Sequence, residues 1–252
     1  MKTSTEHALA KVPEVTLGFW LIKIAATTLG ETGGDAVSMS MNLGYLVGTG
    51  IFAVIFLAAV VAQVKAKGFH PFLYWTTIIA TTTVGTTLAD FADRSLGVGY
   101  AGGSSLLLAL LLGSLFVWHR TLGSVSVSTV NSPKAETFYW LTIMFSQTLG
   151  TALGDWTADT AGLGYTGAAA VFSGLLAVVV AAYYWTGVSR TLLFWAAFIL
   201  TRPLGAVVGD FLDKPLHAGG LALSRYSASA ALLAFMLTAI LLFRQRAART
   251  AH

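Results

Sequence analysis

Four times along the chain an aromatic pair ending in tryptophan is followed at fixed distances by a glycine and an aspartate. The copies are Phe19-Trp20, Gly30, Asp35; Tyr74-Trp75, Gly85, Asp90; Tyr139-Trp140, Gly150, Asp155; and Phe194-Trp195, Gly205, Asp210. Ten residues separate Trp from Gly and five separate Gly from Asp in every copy, and a further glycine follows each Asp by nine: Gly44, Gly99, Gly164 and Gly219. A phrase repeated at fixed spacing restricts the chain to an assembly of four like units.

The setting of these aspartates is apolar. Of 252 residues, 56% are hydrophobic and only 10% charged, with a mean hydropathy of +0.74, whereas soluble domains carry about 25% charged residues. This composition is that of an integral membrane protein, in which a recurring carboxylate is a functional clue. The absence of cysteine excludes disulfides, thiolate metal sites and thiol catalysis. The net charge of +4 resides mostly in short connectors and the C-terminal tail, where it reports topology and not nucleic-acid binding. Residues 1–14 are polar and lack the apolar stretch and cleavage site of a signal peptide.

A membrane span needs about 20 mostly apolar residues. Eight stretches qualify: 15–37, 45–64, 72–92, 101–119, 137–157, 164–186, 192–212 and 221–243. With eight spans, Lys2, Lys11, Lys65, Lys67, His70, Arg120, Lys134, Arg190, Arg244, Arg246 and Arg249 all fall on one face, and only Arg94, Lys214 and Arg225 on the other. The positive-inside rule makes the first face cytoplasmic, with both termini inside. The repeated tryptophans sit near the cytoplasmic end of each odd-numbered span, where interfacial anchoring is the ordinary role of an indole.

Each unit is two spans, so the four units are parallel repeats that pack about an axis along the membrane normal. A shift of 120 residues aligns Thr28-Leu29-Gly30 with Thr148-Leu149-Gly150 and Asp90-Phe91-Ala92-Asp93-Arg94 with Asp210-Phe211-Leu212-Asp213-Lys214. The expected architecture is therefore an all-α integral membrane fold of eight transmembrane helices, built from four parallel two-helix repeats as two duplicated four-helix halves. Its parts are a cytoplasmic segment 1–14, a first half 15–120, a Ser/Thr-rich linker 121–135, a second half 136–243 and a basic cytoplasmic tail 244–252. A rise of about 1.5 Å per residue puts each Asp about 22 Å from its Trp, in the outer part of the bilayer. The glycines form small-xxx-small pairs that let helices approach closely. A sharper reading has the odd helices unwinding near Gly-Asp, with Pro203 supporting a break, so that free carbonyls join the carboxylates as ligands.

Eight of the eleven acids belong to the repeats. Glu31/Asp35 and Asp155/Asp159 are i,i+4 pairs, and Asp90/Asp93 and Asp210/Asp213 are i,i+3 pairs, so each pair shares a helix face. Adjacent carboxylates are stable together only with a cation, a base or a shared proton. Glu31, Asp35, Asp155 and Asp159 have no neighbouring base and lead as metal- or proton-binding candidates, followed by Asp90 and Asp210. Thr28, Asn42, Gln147 and Thr148 are candidate neutral ligands, with interhelical hydrogen bonding as their ordinary alternative. Arg94 and Lys214, four residues after Asp90 and Asp210, are candidate charge partners, as are the intramembrane bases Lys23 and Arg202. An all-oxygen ligand set suits Mg²⁺, Ca²⁺ and Mn²⁺; Met39, Met41 and His217 are the few softer groups near the outer ends.

The phrase Thr-Leu-Gly-x-x-x-Gly-Asp with its downstream Gly-Tyr resembles a widespread bacterial family of "uncharacterised membrane-anchored proteins" over nearly the whole chain, a resemblance that implies no activity. Gly34-Asp35, Gly154-Asp155 and Gly209-Asp210 are also similar to the core of the Gdt-type manganese and calcium transporters. Those place Glu two residues before the Gly and Lys/Arg-Thr after the Asp; here Glu31 stands three before Gly34 and the Lys/Arg-Thr is missing. That likeness implies an acidic cation transporter.

The expected function is a secondary transporter of divalent cations in the bacterial inner membrane, Mn²⁺ first and then Ca²⁺ or Mg²⁺, with export coupled to protons. The cation is the substrate and no cofactor is required. Its partners are the lipid bilayer, the metal cation and protons, with a homo-oligomer left open. A proton-coupled carrier or channel for an organic or monovalent substrate is the alternative. A structural or sensory role lacks extramembrane surface with which to signal. Intramembrane catalysis lacks its motifs: Thr32, Thr87, Ala152 and Val207 stand where a Gly-x-Gly-Asp protease needs glycine, and no Asp-Gly-x-x-Ala-Arg, Ser-His or His-Glu-x-x-His arrangement occurs.

Overall fold

The structure, a computed structural model, describes residues 10–248. Residues 1–9 of the N-terminal segment, Lys2 among them, and residues 249–252 of the tail, with Arg249, lie outside the described residues. The described chain forms eight long helices: α1 (Leu17–Asp35), α2 (Gly44–Lys65), α3 (Pro71–Asp90), α4 (Tyr100–Leu122), α5 (Pro133–Asp155), α6 (Gly164–Trp185), α7 (Arg190–Asp213) and α8 (Arg225–Leu242). Among the described residues no strand forms beyond a single antiparallel bridge, Pro13 with Ala247. The helix starts have local causes. Thr16 accepts from the Phe19 amide at 3.2 Å, Ser132 from the Ala135 amide at 3.3 Å, and Pro71 and Pro133 occupy first-turn positions, where a missing N–H costs nothing.

The helices form two shells. α1, α3, α5 and α7 make a closed inner ring, each packed on its two neighbours in that order. The outer helices lie over it in rotation: α2 on α3, α4 on α5, α6 on α7 and α8 on α1. Each outer helix therefore packs chiefly on the inner helix of the next repeat, so no repeat buries its own apolar surface alone. The ends of the chain close the circle where α8 meets α1: the Glu14 amide donates to the Arg246 carbonyl and the Ala248 amide to the Val12 carbonyl, both at 2.8 Å.

Five helices, α2, α4, α6, α7 and α8, are long and apolar enough to cross a membrane. Eight such stretches were expected, and the three that fall short, α1, α3 and α5, all belong to the inner ring. Their surroundings explain it. Only 17% of the apolar window of α2 and 11% of that of α6 is buried within the protein, against 67% for α7. A helix walled in by other helices needs no apolar exterior, so the inner helices carry threonine and glycine instead. Their hydroxyls turn back onto their own helices: Thr28 donates to Ile24, Thr77 to Leu73, Thr83 to Ile79 and Thr148 to Met144 at 2.7–3.0 Å. A threonine satisfied in this way is buried without an unpaired polar atom.

At the N-terminal end of the ring the repeated aromatic pairs form a closed belt. Within each pair the rings meet edge to face, at 5.0 Å for Phe19–Trp20 and 5.2 Å for Tyr74–Trp75. Between pairs, the first aromatic of each repeat packs on the tryptophan of the next: Phe19 on Trp75, Tyr74 on Trp140, Tyr139 on Trp195 and Phe194 on Trp20, with centroids 5.4–6.2 Å apart. This corrects the anchoring role expected of the tryptophans. Trp75, Trp140 and Trp195 are buried in the bundle and only Trp20 is half-buried, because the same cyclic packing that joins the helices draws the indoles inward. The Tyr74 and Tyr139 hydroxyls share one buried hydrogen bond of 2.6 Å. Tyr74→Phe is expected to lower stability by about 1–3 kcal/mol by stranding the second hydroxyl, while Tyr74→Phe with Tyr139→Phe restores most of it. A double-mutant cycle by thermal unfolding checks this.

The stretch between the halves is structured. Val127 and Val130 are buried, and the Val125 and Val130 carbonyls accept from Trp195 Nε1 at 3.0 Å and from the Lys11 amide at 2.9 Å. Lys11 pairs with Glu136 at 2.7 Å, so linker and N-terminal segment together cover the belt.

The repeated glycines separate into two kinds. Gly44, Gly99, Gly164 and Gly219 all have positive φ, between 64° and 85°, in the turn that reverses the chain toward each outer helix. Gly30, Gly85, Gly150 and Gly205 are contact points of the ring. A Cβ on Gly30 would overlap Thr82, one on Gly150 would overlap Arg202 and one on Gly205 would overlap Thr27, and at Gly85 it would meet the Gln147 backbone at 3.0 Å. Thr82, Gln147, Arg202 and Thr27 each stand three residues before the next repeat's glycine, so one contact is made four times around the ring.

Candidate functional site

The aspartates gather at the opposite end of the ring from the belt. Asp35, Asp90 and Asp155 are the last residues of α1, α3 and α5. The expected unwinding at Gly-Asp does not occur. The α-helix continues to the Asp and then widens into one π turn, at Ala36–Ser40, Phe91–Ser95 and Trp156–Thr160, while α7 runs on through Pro203 to Asp213. A π turn re-aims the chain while keeping its carbonyls bonded, so the ligand groups on offer are side chains.

All four aspartates are buried, and two bases bridge them. Arg94 Nε lies 2.7 Å from Asp90 and its Nη2 3.3 Å from Asp155. Lys214 Nζ lies 2.9 Å from Asp210 and also pairs with Asp35. Each base thus reaches its own aspartate four residues back and the aspartate of the following repeat. Glu31 and Asp35 of the first repeat and Asp155 of the third, which have no adjacent base in the sequence, take one from another repeat. Arg225 adds a contact of 2.7 Å to Asp213 and one of 3.7 Å to Asp35.

Below this ring a second buried pair crosses the bundle. Arg202 Nη2 donates to Glu31 Oε2 at 3.0 Å, to Thr86 Oγ1 at 2.6 Å and to Thr151 Oγ1. Thr86 in turn donates to Glu31 at 3.2 Å. Glu31, Thr86 and Thr151 occupy one repeat position, the residue after the ring glycine, with Ala206 as the fourth. A guanidinium from α7 therefore binds α1, α3 and α5 at one level. Carboxylate oxygens of Glu31, Asp35 and Asp90 lie within 4.8 Å of one another, as do those of Asp35, Asp210 and Asp213. Six buried carboxylates (Glu31, Asp35, Asp90, Asp155, Asp210, Asp213) face four paired bases (Arg94, Arg202, Lys214, Arg225), two fewer than full ionisation needs.

Other expected site residues lie elsewhere. Asp159 is exposed at the end of its π turn and forms no ion pair among the described residues. Asn42 is exposed too. It holds a φ of 55°, like Gly97 and Gly162 at the same turn position in later repeats, so its role is conformational. Met39, Met41 and His217 are exposed. Thr28 and Thr148 spend their hydroxyl hydrogens on their own helices. Lys23 is buried but touches no carboxylate among the described residues: its Nζ lies 3.5 Å from Thr201 Oγ1 and 4.1 Å from the centre of the Phe198 ring. Asp213, read from the sequence only as the face partner of Asp210, and Arg225, read only as a connector charge, join the site, as do Thr86 and Thr151, which the sequence reading does not single out. The last two share the repeat position of Glu31, a signal available from the alignment of the repeats.

Between Lys23 and the Arg202–Glu31 pair lies a layer of unmatched polar atoms. Both side-chain amide atoms of Gln147, Nε and Nη1 of Arg202, and the hydroxyls of Thr82 and Ser146 are buried with no hydrogen-bond partner among the described residues. Each such atom costs about 1–3 kcal/mol if nothing else satisfies it.

Comparison with curated proteins and with solved structures finds no match. A family model, Repeat of Unknown Function (DUF347), matches residues 18–69, 73–124, 138–189 and 193–250, one inner and one outer helix each time. With four copies spanning most of its length, the chain belongs to the DUF347 repeat family.

Proposed function

We propose that the protein spans the bacterial inner membrane eight times, with both termini cytoplasmic, and is a secondary transporter of divalent cations. In this reading Mn²⁺ is the leading substrate, followed by Ca²⁺ and Mg²⁺, and export is coupled to protons. The observation that carries the reading is the excess of two buried carboxylates over their paired bases at one end of a closed helical ring. A divalent ion supplies the missing charge, and two protons arriving in its place supply it equally, which is the balance an exchanger requires. Lys214 and Arg94 act as internal stand-ins, occupying the carboxylates when the cation has left. The donors are oxygen atoms throughout, which suits the hard cations. The apolar outer shell supports the membrane setting, and the basic connectors flanking the aromatic end support its cytoplasmic orientation. The inner helices, sheltered by that shell, then cross with polar interiors.

The second reading, a proton-coupled carrier of an organic or monovalent substrate, is favoured by one observation, the unmatched polar layer around Gln147. In either reading the protein is a carrier and not an enzyme.

The test is transport into proteoliposomes reconstituted with the purified protein and loaded with a Mn²⁺-quenched fluorophore. Wild type is expected to carry Mn²⁺ in response to an imposed pH gradient. Asp35→Asn and Asp155→Asn are each expected to slow it at least about tenfold, the effect of about 1.4 kcal/mol in the barrier. Wild-type vesicles that carry no divalent ion would remove the proposal; pH changes evoked by an organic solute without metal would select the second reading.

A further inference from the structure

The unmatched layer differs in kind from the acidic ring above it. Its side chains come from three inner helices: Thr82 from α3, Ser146 and Gln147 from α5, Arg202 from α7. Lys23 of α1 approaches from the belt side through Thr201, the residue next to Arg202. Every member is buried. At this level the core holds two bases and one acid, because Lys23 pairs with no carboxylate among the described residues and Arg202 already holds Glu31. The unpartnered groups are mainly donors: the Gln147 amide nitrogen, two guanidinium nitrogens and two hydroxyls. A layer of donors with a surplus positive charge is complementary to an anion, since a buried charge is stable only when paired and hydrogen-bonded. The space is narrow. The ring glycines bring the helices so close that a Cβ on Gly30 or Gly150 would overlap Thr82 or Arg202 themselves.

We infer that the layer between Lys23 and Arg202 binds one small monovalent anion of halide size, held by Lys23, Arg202, Gln147, Ser146 and Thr82. The site shares Arg202 with the Glu31 pair, and it does not require that the carboxylates carry a cation. The bound anion offsets the Lys23 ammonium locally and ties α1, α3, α5 and α7 together at mid-height. A halide accepts hydrogen bonds from donors of these kinds and cancels the surplus charge, whereas a water molecule leaves it uncancelled.

The experiment uses the full-length protein purified in detergent. Gluconate is replaced by chloride, bromide or formate at constant ionic strength, and thermal unfolding is followed by tryptophan fluorescence. Chloride and bromide are expected to raise Tm by about 5–10 °C at a hundredfold excess over their dissociation constant. Formate, being larger, is expected to do less. Lys23→Met is expected to abolish the halide-dependent rise while still folding, since it removes the surplus charge and keeps an apolar stem. Gln147→Leu is expected to weaken it. Bromide-soaked crystals of wild type should show an anomalous peak between Lys23 and Arg202, and this measurement needs no variant. A wild-type Tm indifferent to halide, the same rise in Lys23→Met, or no peak in the layer would overturn the inference. The layer would then hold water beside an uncharged Lys23. A formate effect exceeding that of chloride would assign the layer to carboxylates and overturn the halide-size selection.

Discussion

Replacing Glu31 with alanine is expected to lower stability by about 3–5 kcal/mol, the cost of leaving a buried base without its partner. Arg202 lies wholly inside the bundle, and a single nitrogen of its guanidinium serves Glu31, Thr86 and Thr151 on three different helices. Without the carboxylate those hydroxyls remain, but they carry no countercharge. The second half of the prediction is a rescue. Glu31→Ala with Arg202→Met removes both charges, and replacing a buried pair by apolar groups is often neutral, so the double variant should recover most of the loss. Thermal unfolding of the two single variants and the double closes the cycle. A double variant no more stable than Glu31→Ala would mean that Arg202 holds the ring together through its hydroxyl contacts alone.

The second large effect concerns Lys214. If its ammonium stands in for the transported cation, Lys214→Met leaves Asp35 and Asp210 with only the 3.7 Å contact of Arg225 to Asp35 and should tighten divalent-cation binding. Two unit charges about 4 Å apart interact by about 4 kcal/mol at an effective dielectric constant of 20. Even a third of that raises affinity at least about tenfold. Export should slow in the same variant, because protons must then displace a more tightly held ion without the ammonium. Isothermal titration with Mn²⁺ reads the affinity and the vesicle assay reads the rate. The apo variant is expected to be less stable than wild type and to regain stability with Mn²⁺, which separates a filled site from a damaged one. Weaker Mn²⁺ binding in a folded Lys214→Met would give the lysine a purely structural role.

Much of this arrangement was legible in the residues. The spacing Trp-Gly-Asp marked four units, and the apolar stretches marked eight helices. Fixed spacing along a helix sets fixed height and rotation, so equal spacing in parallel helices puts the aromatics at one level and the aspartates at another. Other features depend on partners far away in the chain. Arg94 and Lys214 were legible as i+4 partners of Asp90 and Asp210, but their second contacts, to Asp155 and Asp35, cross from one helix to the next. The burial of Trp75, Trp140 and Trp195 likewise follows from cyclic packing, not from local pattern. Asn42 reads as a ligand by chemistry and proves to be a turn residue by its φ.

The repeat, the helices, the membrane-like composition and the levels at which polar groups occur all follow from local spacing and hydropathy. Which helices lie inside, that each outer helix covers the next repeat's inner one, and which base meets which acid are set by packing between distant parts of the chain. Those choices depend on side chains up to 197 residues apart meeting across helix contacts that the glycines make close.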